Sequence, residues 1–387
     1  MRKKINHLDL FSGIGGFHKG FQQAGYKVNS YFSEIDKHAI AVYKNKFKDA
    51  EYVGSVVNIK GDELPRIDLV TFGSPCQDFS LAGKRKGMSG DRSSLVLEAI
   101  RLISECRPGV FIWENVKGTF SSNSGEDFAA ILQAFTNIGG YRLEWQLLNT
   151  SWFLPQNRER IYLVGYSTTT KRNWRGVFPI GEGAKEPGKI KQTAQLRGGQ
   201  VGRVLDPTGI GYALSACDYK NPMKVEVKSV NEQELELFRK GDGKVLRNDI
   251  APTLTAGANS GGNHSEMACL KVKSATAQGY EVATEGDSIN YSNPNSETRR
   301  GRVGKGKAQT LDTAANQAVV QPNYSIRRLT PIECERLQGF PDNHTEYGNY
   351  DGEVKKMSNT QRYKQCGNAV TVDVVQAIAE KIKPLFK

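Results

Sequence analysis

Along the first 168 residues, apolar and polar positions alternate between two textures. Short runs rich in β-branched and aromatic residues, at 5–11, 28–32, 67–73, 110–113, 143–148 and 161–166, predict strands. Between them, residues 16–23, 37–47, 93–105 and 127–137 carry apolar side chains at helical spacing. Regular exchange of strand and helix predicts an α/β fold, an open and mostly parallel sheet with helices on both faces. Leu69-Val70-Thr71-Phe72 and Val110-Phe111-Ile112-Trp113 are apolar without alternation, as strands covered on both sides should be.

The texture changes near Thr169. Glycine, asparagine, threonine and serine dominate, and the one helical pattern lies at 231–239. A loose repeat runs through Tyr212-Ala213-Leu214-Ser215, Pro252-Thr253-Leu254-Thr255 and Gln309-Thr310-Leu311-Asp312, with spacing too irregular for a solenoid. A β-rich, loop-rich domain is expected over 169–324, between a catalytic domain at 1–168 and a helical segment at 325–387 that completes it. In that last segment Thr330-Pro331-Ile332-Glu333 has the form of a capping box with proline at the first helical position. Residues 371–382 predict a second amphipathic helix.

Composition narrows the class. Of 387 residues, 38% are hydrophobic and 24% charged, which is globular. No apolar run reaches the length of a membrane span, and His7 and Asp9 follow the basic start too soon for a signal core. Six scattered cysteines without a Cys-x-x-Cys pair argue against a disulfide framework and a zinc ribbon, so no metal site is expected and a reducing cytoplasm is the simplest location. The net charge of +12 favours a polyanionic partner, although a merely basic enzyme would show the same excess.

Several motifs sit where an open α/β sheet holds ligands, at the carboxyl ends of strands. Phe11-Ser12-Gly13-Ile14-Gly15-Gly16 follows the first strand and opens a helix, which suits close approach of a ligand to backbone N–H groups. The third glycine of a dinucleotide fingerprint is replaced by His18, so a structural turn is the competing reading. Glu34 ends the second strand, where a carboxylate can hold ribose hydroxyls. Gly73-Ser74-Pro75-Cys76-Gln77 places a cysteine after an apolar strand, either a reactive loop thiol or a small buried hydrophobe. Glu114-Asn115-Val116 ends another apolar strand. There partial desolvation would raise the carboxyl pKa toward a proton donor's range, unless the pair only caps a helix. Arg158 and Arg160, spaced by two, suit an anion clamp or a solvated ion-pair cluster.

Taken in order, and joined by Gln365-Cys366-Gly367-Asn368-Ala369-Val370, these motifs resemble the DNA (cytosine-5)-methyltransferase family over residues 5–168 and 325–387. The resemblance implies a Rossmann-like methyltransferase sheet. It also implies transfer of a methyl group from S-adenosylmethionine, leaving S-adenosylhomocysteine, to C5 of a flipped cytosine in double-stranded DNA. Carried over residue by residue, Cys76 is the nucleophile toward C6 and Glu114 the acid at N3. Arg158 and Arg160 hold the cytosine carbonyl edge and the thiolate loop. Phe11, Ser12, Gly13, Ile14, Gly15, Gly16, Glu34, Ile35, Ser55, Val56, Ser74, Leu95, Asn368, Ala369 and Val370 match the cofactor site, and Gln77 and Ser80 positions near the flipped nucleotide. Two departures stand out: Gly54-Ser55-Val56 on the expected third strand lacks the usual aspartate, and Ala369 stands where serine is also common.

The middle region corresponds by position to a target-recognition domain. Arg300, Arg302, Thr253 and Thr310 are its DNA-facing candidates, with the Thr-Leu units buttressing the loops beside them and phosphate contact as the alternative role for the arginines. A tRNA-methylating relative would have a short middle region, and a silent DNA-binding relative would lack Cys76 or Glu114. A nicotinamide dehydrogenase would leave Cys76 and the Gly-Asn-Ala-Val segment unexplained. A monomer in a bacterial or phage-infected cell is expected. Whether a separate restriction endonuclease accompanies it stays open.

Overall fold

The computed structural model describes residues 4–74, 94–120, 125–169, 176–181, 192–195, 203–205, 224–225, 270–292, 298–314, 316–320 and 326–386. The expected helix at 231–239, the first two Thr-Leu units, Cys76, Gln77, Ser80 and Thr253 lie outside these residues.

Seven strands form the main sheet: β1 (Lys4–Leu10), β2 (Lys27–Ser33), β3 (Glu51–Tyr52), β4 (Leu69–Gly73), β5 (Val110–Val116), β6 (Tyr141–Asn149) and β7 (Glu159–Ser167). Their order is β3-β2-β1-β4-β5-β7-β6. The first five are mutually parallel, and β7 runs antiparallel between β5 and β6. Strand order reverses between β1 and β4, so the chain leaving those two strands diverges and opens a crevice at their carboxyl ends. The fold class is the expected one, α/β with an open and mostly parallel sheet.

Alternate residues of the central strands feed two cores. Leu8, Leu10, Val70, Phe72, Phe111 and Trp113 face α3 (Ser94–Cys106) and α4 (Glu126–Asn137). Ile5, Leu69, Val110 and Ile112 face the other layer, which includes α1 (Gly16–Gln23). A shorter apolar cluster seats α2 (Lys37–Lys46), capped by the Asp36 side chain. The third strand stops at Tyr52, short of the expected Gly54-Ser55-Val56. Gly54 turns with φ +87°, and Ser55 precedes a short 3-10 turn at Val56–Asn58 without a side-chain capping hydrogen bond.

Among the described residues of the middle region, β8 (Gln192–Gln195), β9 (Arg203–Leu205) and β10 (Lys224–Val225) form one small sheet. β11 (Leu270–Lys273) pairs with β12 (Tyr280–Ala283), and β13 (Ser288–Asn290), β14 (Val303–Gly304), β15 (Gln317–Val320) and β16 (Ile326–Arg328) form an antiparallel sheet. Packing crosses the expected boundaries at both ends. Val177, Phe178 and Ile180 lie in the catalytic core, where the Glu144 and Gln146 side chains of β6 accept from the N–H groups of Val177 and Ile180. Ala308 and Leu311 pack with the C-terminal helices.

The C-terminal segment has three helices where sequence periodicity showed two. α5 (Pro331–Leu337) starts at the reciprocal Thr330–Glu333 capping box. A hairpin, β17 (Tyr347–Tyr350) and β18 (Glu353–Lys356), then turns through Asp351 and Gly352, both at positive φ. α6 (Asn359–Asn368) ends in the Gly-Asn-Ala-Val segment, and α7 (Val372–Ile382) returns to pack on α1. That packing needs Gly20: a Cβ there would lie 2.5 Å from Val375 Cγ1 and 3.0 Å from the Val372 carbonyl oxygen. Gly20→Ala should therefore destabilise the protein by roughly 1–2 kcal/mol, overpacking exceeding the gain in helix propensity, measured by denaturant unfolding. Unchanged stability would show that α7 yields there.

Candidate active site

The site grows from three strand ends. After β1 the chain turns at once, with Phe11 at φ +50°, Gly13 at +53° and Gly15 at +82°. Gly15 N–H closes on the Ser12 carbonyl at 3.0 Å, and Ser12 N–H donates to the Ser33 carbonyl at the end of β2 at 3.0 Å. The Glu34 carboxylate accepts from Gly13 N–H (2.9 Å), Ile35 N–H (2.8 Å) and Asp36 N–H (3.0 Å), which fixes its orientation beside the loop. Ile35 next to it is 78% exposed. Among the described residues Ser12 Oγ is buried without a hydrogen-bond partner, and none beyond the chain neighbours of Gly13 comes within 4 Å of where a Cβ on it would stand.

β4 and β5 lie side by side, so Gly73 is the register partner of Glu114. A Cβ on Gly73 would stand 3.0 Å from Glu114 Oε2, so the glycine makes room for the carboxylate. Glu114 is buried, and Arg160 Nε approaches Oε1 to 3.1 Å as an ion pair. Among the described residues that oxygen has no hydrogen-bond donor. Burial raises the Glu114 pKa, against the opposing charges of Arg160 and Arg158. This carboxyl can carry a proton where an ordinary one is ionised.

The opposite face of β5 secures the root of the next loop. Trp113 Nε1 and Asn115 Nδ2 donate to the buried Ser74 Oγ at 3.0 and 3.2 Å. Asn115 Oδ1 accepts from Val116 N–H at 2.7 Å. Ser74 is thus an anchor two residues before Cys76.

The C-terminal segment completes the group. Val370 lies against Gly16, where a Cβ would meet its Cγ2 at 2.5 Å, and within 4.0 Å of a Cβ on Gly73. Asn368 is exposed and Ala369 buried. Val56 is buried and Leu95 half-buried against the core on the far side of the sheet, while Ser55 is half-buried at its turn.

The two arginines point to different partners. Arg160 attends Glu114, whereas Arg158 is buried and donates to the carbonyls of Ala369 (2.8 Å), Gly367 (3.3 Å) and Leu311 (3.4 Å). Burial and then the neighbouring Arg160 lower the Arg158 pKa to about 9. In the middle region Arg302 is 4% exposed, and its guanidinium donates to the carbonyls of Asn290, Lys273 and Ser292. Arg302 thereby holds a turn together instead of presenting donors to solvent, a correction to the expectation of a DNA-facing side chain. Arg300 is exposed, with Nε donating to the Ala275 carbonyl at 2.8 Å. Thr310 donates to the Asn157 carbonyl at 2.8 Å beside the buried Leu311.

Sequence reasoning passed over Gly73, Trp113, Asn115 and Gln156 as working parts. It also passed over the buried chain His7–Thr71–Asp9–Tyr43 beneath the cofactor-loop candidates. Polar His7 and Asp9 on one face of an apolar strand were the visible signal.

A glycine loop, an oriented acidic residue and a desolvated Glu-Arg pair thus meet at the switch point of a doubly wound sheet, where open α/β sheets hold their ligands. The family described as C-5 cytosine-specific DNA methylase matches residues 5–384. The chain belongs to that family, whose methyl donor is of the S-adenosylmethionine type. The type II methyltransferase M.Bsp6I of Bacillus sp. (strain RFL6) is 29% identical over 377 residues, 96% of each chain. M1.ScrFI of Lactococcus lactis subsp. cremoris, also a type II methyltransferase, is 30% identical over 98% of this chain and 78% of its own. The orphan methyltransferase M.SPRI of Bacillus phage SPR is 29% identical over 98% of this chain. Among solved structures, the S. pombe Dnmt2 methyltransferase superposes with TM-score 0.53 at 17% identity, covering 98% of this chain and 99% of that one. A putative DNA modification methyltransferase from an E. coli prophage gives 0.52 at 19% identity, over 98% and 99%. These two share the fold.

The close fit of Gly73 under Glu114 has a direct consequence. Gly73→Ala should displace the carboxylate by a few tenths of an ångström and slow single-turnover methyl transfer by about tenfold, with little loss of thermal stability. An unchanged rate would mean that the carboxylate position is not critical.

Proposed function

We propose that the protein methylates C5 of cytosine in double-stranded DNA at a specific sequence, through covalent addition of Cys76 to C6 of a flipped-out base. The observation that carries this reading is the buried Glu114 carboxyl beside Arg160 at the ends of β4 and β5, its Oε1 without a hydrogen-bond donor among the described residues.

The residues present fit an adenosyl cofactor. Glu34, oriented by three N–H groups, would take the ribose hydroxyls, and the exposed Ile35 would cover one face of the adenine. The partnerless Ser12 hydroxyl and the open space at Gly13 suit the amino-acid portion, with Asn368 beside it. Ser55 would accept from the adenine amino group. When bound, S-adenosylmethionine supplies an electrophilic methyl group.

Cytosine C5 is a weak nucleophile until something adds at C6. The Cys76 thiolate forms the sulfur–C6 bond while Glu114 gives its proton to N3, so the ring becomes an enamine rather than an anion. Arg160 holds the carboxyl in line and faces the carbonyl edge of the base. After C5 takes up the methyl group, loss of the C5 proton to solvent, cleavage of the sulfur–C6 bond and return of the N3 proton to Glu114 release the product and regenerate both the thiolate and the acid. DNA fits the charge of +12, and the middle region, with Gln77, Ser80, Arg300 and the loops beside Thr253 and Thr310, is read as the DNA-facing part. No helix among the described residues is long and apolar enough to cross a membrane, and the bacterial and phage relatives agree with action on DNA inside such a cell.

Cys76→Ser should abolish turnover while retaining DNA binding, and a duplex with 5-fluorocytosine at the target should trap the wild type covalently. Methylation by Cys76→Ser at the normal rate would remove the nucleophile from this scheme.

For sequence reading, Arg300→Ala should either cost about 1–3 kcal/mol of discrimination at one base pair or weaken all sequences alike with a flatter salt dependence. Arg302→Ala should instead lower stability by about 2 kcal/mol or more, through loss of a buried hydrogen-bonded cation. A stable Arg302→Ala that changed the preferred base would reverse these assignments.

A further inference from the structure

Three consecutive residues before β7 grip one strap of chain. Gln156, 0% exposed, donates to the Leu337 carbonyl at 2.7 Å and accepts from Leu311 N–H at 3.1 Å. Asn157 N–H donates to the Ala308 carbonyl at 2.7 Å, and the Asn157 carbonyl accepts from Thr310 Oγ1 at 2.8 Å. Arg158 reaches the Leu311 carbonyl with the same guanidinium that holds Gly367 and Ala369. Gly367 permits this, because a Cβ there would lie 2.5 Å from the Asp312 carbonyl oxygen and 2.7 Å from Thr313 N.

The strap is equally tied to the small antiparallel sheet. Gln317, the first residue of β15, is buried. It donates to the carbonyls of Gln309 and Thr310 at 2.7 and 2.8 Å and accepts from Gln309 N–H at 2.9 Å. From the strap, contacts lead through Arg158 to Gly367 and Ala369, and on through Val370, which lies against Gly16 after β1 and whose side chain would stand 4.0 Å from a Cβ on Gly73. One planar guanidinium spans all three carbonyls at the junction. A lysine ammonium would keep the charge but not that fork.

We propose that Arg158 is a positioning residue that couples the sheet of the middle region to the active site, so that correct seating of DNA on that sheet is felt at the cofactor loop and at Glu114. This rests on the middle region being the part that reads DNA. Displacing the strap changes which carbonyls Arg158 can reach, and with them the position of residues 367–370. Coupling of this kind is reciprocal: whatever sharpens DNA discrimination through the strap also tightens the cofactor side.

The test uses the full-length wild type with Arg158→Lys, Arg160→Lys and Thr310→Val, each checked by thermal melting. Bisulfite sequencing of DNA from expressing cells identifies the methylated site, and single-turnover rates are then compared on that duplex and on duplexes altered at one base pair. Arg158→Lys should reduce discrimination by about tenfold and weaken S-adenosylhomocysteine binding several-fold, within the usual range of coupling between sites. Arg160→Lys should slow both duplexes by the same factor and leave S-adenosylhomocysteine binding unchanged. Should Arg158→Lys fail to fold, Thr310→Val, which removes a single half-buried hydroxyl from the strap, should still shift discrimination in the same direction by about two- to fivefold. Equal slowing on all duplexes by Arg158→Lys, or unchanged discrimination in both strap variants, would overturn the coupling. A wild type with no sequence preference would overturn the reading of the middle region as well, which distinguishes the two failures.

Discussion

A buried carboxyl group that pairs with Arg160, and whose Oε1 has no hydrogen-bond donor among the described residues, is the constraint around which this structure is arranged. Glu114 occupies that position because β4 and β5 are adjacent and parallel, because Gly73 has no side chain, and because Arg160 enters from the antiparallel β7. Removing a carboxylate from water without full compensation raises its affinity for a proton, which suits an acid that acts as a thiolate adds to a ring. The same strand makes the neighbouring loop root rigid from its other face through Trp113, Asn115 and Ser74. One strand thus presents Glu114 on one face and the two donors that hold Ser74 on the other, by the two-residue alternation of its side chains.

Closure of the site depends on the last part of the chain. α7 packs on α1 across Gly20, and Val370, just before α7, lies against Gly16 at the start of α1. The first and last stretches form one body. The middle region inserted between them leaves and re-enters through strands and straps that pack on the sheet: Val177–Ile180 beside β6 at one end, Ala308 and Leu311 among the C-terminal helices at the other. Three buried polar residues, Gln156, Arg158 and Gln317, hold the second junction by satisfying backbone groups that an apolar side chain would leave unpaired.

What the sequence made legible was local or periodic. The apolar runs of β4 and β5, the Thr330–Glu333 capping box and the glycine turn after β1 each act within a few residues, and all lie where the pattern put them. α6 escaped because its buried face includes Arg362 and Gln365, polar side chains that carry no hydrophobic period. Arg362 is buried because Glu335, distant in sequence, pairs with it at 2.9 Å. Arg302 misled for the same reason: an Arg-rich turn reads as exposed, and only the carbonyls of Lys273, Asn290 and Ser292 turn that side chain inward. The hairpin at Asp351-Gly352 went unread because the whole segment reads as helical.

The most direct measurement is the pH dependence of the single-turnover methylation rate for the wild type and Glu114→Gln. Burial raises the Glu114 pKa, so its proton is present below that value and lost as pH rises through it, while the thiolate fraction of Cys76 grows over the same direction. The account predicts a falling alkaline limb in the wild type. It also predicts that the limb is absent in Glu114→Gln, whose rate is lower by about 10²–10⁴-fold, the usual worth of a general acid. An alkaline limb that persists unchanged in Glu114→Gln, or a loss of less than about tenfold, would show that the proton comes from elsewhere.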